Sequence, residues 1–99
     1  METIKKVFPD YGHPEGPRVI PWYRIIEGRF YPDYGHPYGE QSKPWLFTLG
    51  NQVYADEGHP LGRLSLPWYR LAGNRLYPDI GHPEGPQNKP WFRIFELAG

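Results

Sequence analysis

The chain has no cysteine, which excludes disulfides, thiolate metal sites and a cysteine nucleophile, and leaves the redox compartment open. No sign of charge dominates either: 11 basic and 11 acidic residues cancel, and neither kind forms a block. Phosphate-driven nucleic-acid binding therefore has no electrostatic footprint. No apolar run is long enough to cross a bilayer, so no membrane partner is expected. Residues 1–7 lack the apolar stretch of a signal peptide, which leaves the localisation unassigned and cytoplasmic by default. Hydrophobic residues make up only 38% of the 99, so a single domain with a thin core is expected. What is plentiful is glycine (12), proline (13) and aromatic residues (17%). Gly and Pro at this level can signal disorder. Here they recur at fixed positions among Trp, Tyr and Ile, which indicates ordered turns.

The recurrence is strict. Asp33-Tyr34-Gly35-His36-Pro37-Tyr38-Gly39, followed by Pro44-Trp45, has counterparts beginning at Asp10, Asp56 and Asp79, each offset by 23 residues without insertion or deletion. The matching Pro-Trp pairs are Pro21-Trp22, Pro67-Trp68 and Pro90-Trp91. The units run over about 10–32, 33–55, 56–78 and 79–99, with an extra N-terminal strand at 4–9. They have drifted: Thr48 stands where the first unit has Ile25, Ala55 where it has Pro32, and Glu57 where the second has Tyr34 in the alignment of loops.

Each unit reads as one hairpin and one long loop. Two short β-rich runs flank Glu27-Gly28, Gly50-Asn51 and Gly73-Asn74, the first suited to a type I′ turn and the others to type II′. A two-residue turn fixes the register, so residue 26 faces 29, 25 faces 30, 24 faces 31 and 23 faces 32. Alternation then assigns a core of Tyr23, Ile25, Phe30, Leu46, Thr48, Val53, Tyr69, Leu71, Leu76, Phe92, Ile94 and Val7. The opposite face carries Trp22, together with Arg24 over Tyr31, Arg70 over Tyr77, Arg93 over Phe8 and Phe47 against Tyr54. In the loops, His before Pro is held extended, and the Asp side chain is expected to accept the N–H two residues on.

The chain ends are complementary. The last unit supplies Trp91 to Phe95 without a second strand, and the first is preceded by an unpaired strand, Lys5 to Phe8. Pairing them, with Ile94 facing Val7 and Phe95 facing Lys6, makes a fourth hairpin, closes a ring and removes two strand edges. The expected fold is all-β, pseudo-fourfold, either a small eight-stranded barrel or a flat pinwheel. The period and hairpin content resemble MORN repeat proteins, which stack openly. The Gly and Tyr spacing of that pattern is absent here, so nothing about function follows from it.

Two residue sets carry the chemistry. His13, His36, His59 and His82 would suit a borderline metal if they converged on the axis. No second ligand type stands at metal spacing, so the expectation is a hydrogen-bonding turn residue and no metal or cofactor. Trp22, Trp45, Trp68 and Trp91, near Asp10, Asp33, Asp56 and Asp79, the histidines and the arginines, are residue types that bind sugars. An indole face stacks on the C–H face of a pyranose while polar groups take its hydroxyls. Four weak copies would gain avidity on a multivalent glycan. The plainer role for Trp is packing, which a thin core needs. Catalysis has little support: Ser42 and Ser65 occupy non-equivalent loop positions, and four identical Asp–His pairs do not push pKa values apart as acid–base chemistry requires. Phe8, Tyr31, Phe47, Tyr54 and Tyr77, if exposed, would mark a protein-contact surface. The leading expectation is a non-catalytic module binding a glycan or protein partner. The alternative is a structural repeat protein that self-assembles as a homo-oligomer or filament, one copy's C-terminal strand pairing with the next copy's N-terminal strand.

Overall fold

The hairpin turns set the register of the whole sheet. Glu27 and Gly28 both take positive φ, 50° and 81°, as a type I′ turn demands. Gly50 and Gly73 are positive at 66° and 63° while their Asn partners are not, the φ signs of type II′. A computed structural model describes the backbone of residues 3–98 and the side chains of residues 5–96. Its elements are β1 (Thr3–Pro9), β2 (Tyr23–Ile26), β3 (Arg29–Pro32), β4 (Leu46–Leu49), β5 (Gln52–Ala55), β6 (Tyr69–Ala72), β7 (Arg75–Pro78) and β8 (Phe92–Ala98). The eight strands are antiparallel throughout and close into a barrel in chain order, with β8 returning to β1. The barrel, and not the pinwheel, is the form the ring takes.

Registers within the hairpins follow the turns: Ile26 pairs with Arg29, Ile25 with Phe30, Arg24 with Tyr31 and Tyr23 with Pro32, and the β4–β5 and β6–β7 hairpins repeat this. The fourth hairpin is made by the chain ends. Val7 pairs with Ile94, Lys6 with Phe95 and Phe8 with Arg93, in a ladder running from Thr3↔Ala98 to Pro9↔Phe92. At seven residues, β1 and β8 are longer than the four-residue strands elsewhere.

The core is a layer with one residue from every strand. Val7, Phe30, Val53 and Leu76 alternate with Tyr23, Leu46, Tyr69 and Phe92, all at most 6% exposed. An eight-stranded barrel has an interior just wide enough for such a layer, so these side chains fill it. Burial of each is worth roughly 1.5–3 kcal/mol. The next layer is looser than alternation predicts. Ile94 is buried, but Ile25, Thr48 and Leu71 are half-buried. They lie beside the hairpin turns and line an open mouth of about 270 Å³. Ile94, on the longer strand β8, is the least exposed of the four. Alternation also missed Trp45, Ala55 and the buried prolines, Pro9, Pro32 and Pro78 at strand ends and Pro90 ahead of β8.

The outer face departs from expectation as well. Phe8, Tyr31, Phe47, Tyr54 and Tyr77 are half-buried, not exposed. Arg24 lies over Tyr31, Arg70 over Tyr77 and Arg93 over Phe8, as their register requires. Phe47 and Tyr54 stack, with centroids 5.6 Å apart and planes 21° apart. Each arginine also straps a loop: Arg24 donates to Pro32 O (2.8 Å) and Gln41 O (3.1 Å), and Arg70 and Arg93 do the same to their own loops.

Candidate functional site: an axial aromatic bowl

The four long loops share one end of the barrel, and their construction determines what that end presents. Two consecutive turns form each loop, closed by His13 N–H donating to Asp10 O and Gly16 N–H to His13 O, and likewise in the other copies. The Asp side chain caps the first turn. Its Oδ1 accepts the very next N–H, that of Tyr11, Tyr34, Glu57 or Ile80, at 2.7–2.8 Å. The expected bond two residues on is made instead by histidine. His13 Nδ1 accepts from Glu15 N–H at 3.1 Å, and His36, His59 and His82 accept from Tyr38, Leu61 and Glu84 at the same distance.

That bond fixes the chemistry of the imidazoles. A ring whose Nδ1 accepts is neutral and carries its proton on Nε2. Among the described residues no Nε2 has a hydrogen-bond partner, and none is sealed away from solvent. Burial pushes all four histidines below their usual value, and His36 and His82 to about 4. His36 is lowered further by His59 and His82 by His13.

Tryptophan interleaves with histidine. Alternation placed Trp22 on the outer face, but the chain bends at Trp22 ahead of β2, so strand alternation has not yet begun there. Trp22 N–H donates to Val7 O, and Trp22 O accepts from Asp33 N–H, which pins the residue where two hairpins meet; the other three are held identically. The indoles turn inward over the barrel mouth. His13 lies 4.7 Å from Trp22 and 5.2 Å from Trp91, centroid to centroid, and His36 lies 5.0 Å from Trp22 and 4.6 Å from Trp45. On the far side His59 lies 5.4 Å from Trp45 and 4.5 Å from Trp68, while His82 lies 5.3 Å from Trp68 and 4.5 Å from Trp91. The result is a collar of eight rings in which every Trp sits between two His, mostly edge to face. Such pairs contribute roughly 0.5–1.5 kcal/mol each beyond their buried area. Trp45 is 9% exposed; the other three are half-buried.

The collar surrounds an axial bowl of about 510 Å³. Tyr23, Tyr69 and Phe92 form its floor, and Pro14, Pro37, Pro60 and Pro83 its rim, with Glu15, Tyr38 and Glu84 beside them. Burial raises both floor tyrosines, and Tyr69 is raised further by Tyr23 and Glu84. The floor residues were read from the sequence as core, but the rim escaped it, although it could have been found from its fixed offset after each His.

The aspartates are elsewhere. None lines the bowl. Asp33 Oδ2 meets Lys6 Nζ at 2.9 Å, Asp56 Oδ2 meets Arg29 Nε at 3.8 Å, Asp79 Oδ2 accepts from Gln52 Nε2 at 3.4 Å, and Asp10 Oδ2 meets Arg75 Nε at 3.6 Å. Each loop is thereby tied to the hairpin before the one it directly follows. Residues 6, 29, 52 and 75 are equivalent, and this cross-repeat link was not foreseen. Among the described residues no three His, Asp or Glu side chains are grouped to hold a metal ion. The chain matches no protein-family model, no curated protein and no solved structure.

Proposed function

We propose that this protein is a non-catalytic binding module that holds a carbohydrate in the axial bowl. The observation that carries the reading is the convergence of four Trp and four His on one cavity of about 510 Å³. Small-molecule sites run from roughly 300 to 1,000 Å³ and are mostly apolar with a few convergent polar groups. Here the aromatic lining offers surface to the C–H faces of a sugar. The Nε2–H groups, the floor hydroxyls of Tyr23 and Tyr69 and the carboxylates of Glu15 and Glu84 offer partners to its hydroxyls.

The geometry favours one pooled site over four independent ones. Every Trp has a histidine on each side, so no indole is a separate platform. In this reading Asp10, Asp33, Asp56 and Asp79 act indirectly, by holding the loops that carry the histidines. A binding role without catalysis is supported by four like imidazoles and by Ser42 and Ser65 lying outside the lining. The alternative, self-assembly by strand exchange, is disfavoured because β8 already pairs with β1 of its own chain.

Titration with a panel of mono- and oligosaccharides, followed by tryptophan fluorescence and by heat, tests the proposal. One saturating ligand per chain is expected, weakened by Tyr38→Ala at the rim. Absence of any response, together with sedimentation that changes with concentration, would overturn it in favour of assembly.

A further inference from the structure

The bowl is fourfold in its collar but not at its rim. The residue two after each His is Glu15, Tyr38, Leu61 or Glu84. The two carboxylates therefore belong to the loops of His13 and His82, the histidines that flank Trp91 at 5.2 and 4.5 Å. Diametrically opposite, Trp45 lies between His36 and His59, and Tyr38 packs on it at 5.6 Å. One side of the bowl is acidic and aromatic, the other aromatic without a carboxylate. No Lys or Arg lines it. The imidazoles add no positive charge, because each Nδ1 accepts a backbone N–H. Arg18 forms an exposed ion pair with Glu15 at 3.6 Å from outside the lining. Inside it, His13, His36 and His82, each 7% exposed, keep unpartnered Nε2–H groups for a ligand.

An aromatic enclosure with carboxylates at one edge attracts cations: the ring faces draw positive charge by their quadrupoles, and the carboxylates add a Coulombic pull. We infer that the bowl selects a ligand bearing an ammonium group and orients it with the nitrogen at Trp91, between Glu15 and Glu84. Within the carbohydrate reading, on which this rests, the ligand is an amino sugar with a free amine, its apolar face on Trp45 and Tyr38.

The test is calorimetric titration with a glucosamine oligomer, its fully N-acetylated form, a neutral glucose oligomer and tetramethylammonium, at a pH that keeps the amine protonated. The free-amine sugar should bind about tenfold tighter than the other two sugars, a preference that shrinks as salt is added. Glu15→Gln with Glu84→Gln, folding checked by circular dichroism, should abolish the preference. Glu40→Gln, outside the bowl, should leave it unchanged. Equal affinity for the three sugars, or a preference that survives the double substitution, overturns the inference and leaves the sugar site standing. Saturation by tetramethylammonium with no response to any sugar upholds the cation and overturns the sugar. Silence from all four overturns both.

Discussion

Gly35 and Gly39 look interchangeable as letters in a repeat, but they serve different physical ends. A Cβ on Gly35 would lie 2.3 Å from Ile20 Cγ2 and 2.4 Å from Pro21 O, the carbonyl that accepts Gly35 N–H at 2.9 Å. Gly39 has open space around it and a φ of +76°. Gly35→Ala should therefore cost about 3 kcal/mol through overpacking against backbone. Gly39→Ala should cost about 1 kcal/mol through the left-handed conformation alone. Urea denaturation of the two variants separates them, and equal losses would contradict the close approach. Protonation of the histidines works against the fold. Their folded-state values are lowered, so as pH falls from about 6.5 the unfolded chain takes up protons first. Stability is fully present above that pH and is lost as the pH drops toward 4, where His36 and His82 titrate. A melting temperature that declines steadily across this window is expected, and a flat profile would contradict neutral imidazoles in the collar. The sequence revealed which residues recur. Which Gly meets a carbonyl depends on neighbours 14 or more residues away and could not be read from it, whereas the nitrogen that His leaves free is set locally, by the N–H two residues on.

Strands and turns were the most legible level, because a two-residue turn and a period of two leave little freedom. The reading failed where the chain leaves the ladder. Trp22 sits on a bend, so counting alternate residues back from Tyr23 placed it on the wrong face. Loops differ among the repeats for a reason visible in the drift. Phe47 replaces the arginine that straps the other loops, and the 56–66 loop lacks both guanidinium bonds. It also lacks the backbone bond that Arg18, Gln41 and Gln87 donate to Pro9, Pro32 and Pro78 in the other three. Arg63 reaches Asp56 at 3.3 Å in partial replacement. Arg70→Ala should destabilise the fold by about 1–3 kcal/mol, since Arg70 makes two charge-assisted bonds to Pro78 O and Gln87 O at 2.9 Å each. Phe47→Arg should slow amide exchange within residues 56–66, provided the new guanidinium reaches Ala55 O and Leu64 O. Hydrogen exchange by mass spectrometry reads both variants. No change in the 79–90 loop of Arg70→Ala would contradict the strap.

Closure governs everything larger. Two chain ends meet in one hairpin, and only then do four copies of one loop surround a common axis and merge into a single bowl. The complementarity of the ends was legible, since each lacked the strand the other carried. The pooling of the aromatic residues was not, because a repeat written four times looks like four sites until the ring is drawn. Removing residues 1–7 takes away most of β1, which pairs with both β8 and β2, and should abolish the cooperative thermal transition. Calorimetry of the truncated chain would expose an independent origin of stability if the transition survived. Closure itself is tested most directly by a covalent trap, and the absence of native cysteine makes the trap clean. Lys5 and Glu96 are exposed and directly opposed in the β1–β8 ladder. With Lys5→Cys and Glu96→Cys combined, mild oxidation should give a monomeric, internally cross-linked chain stabilised by about 4 kcal/mol in the chain-entropy picture. A pair that stays reduced, or links only between molecules, would contradict the ring.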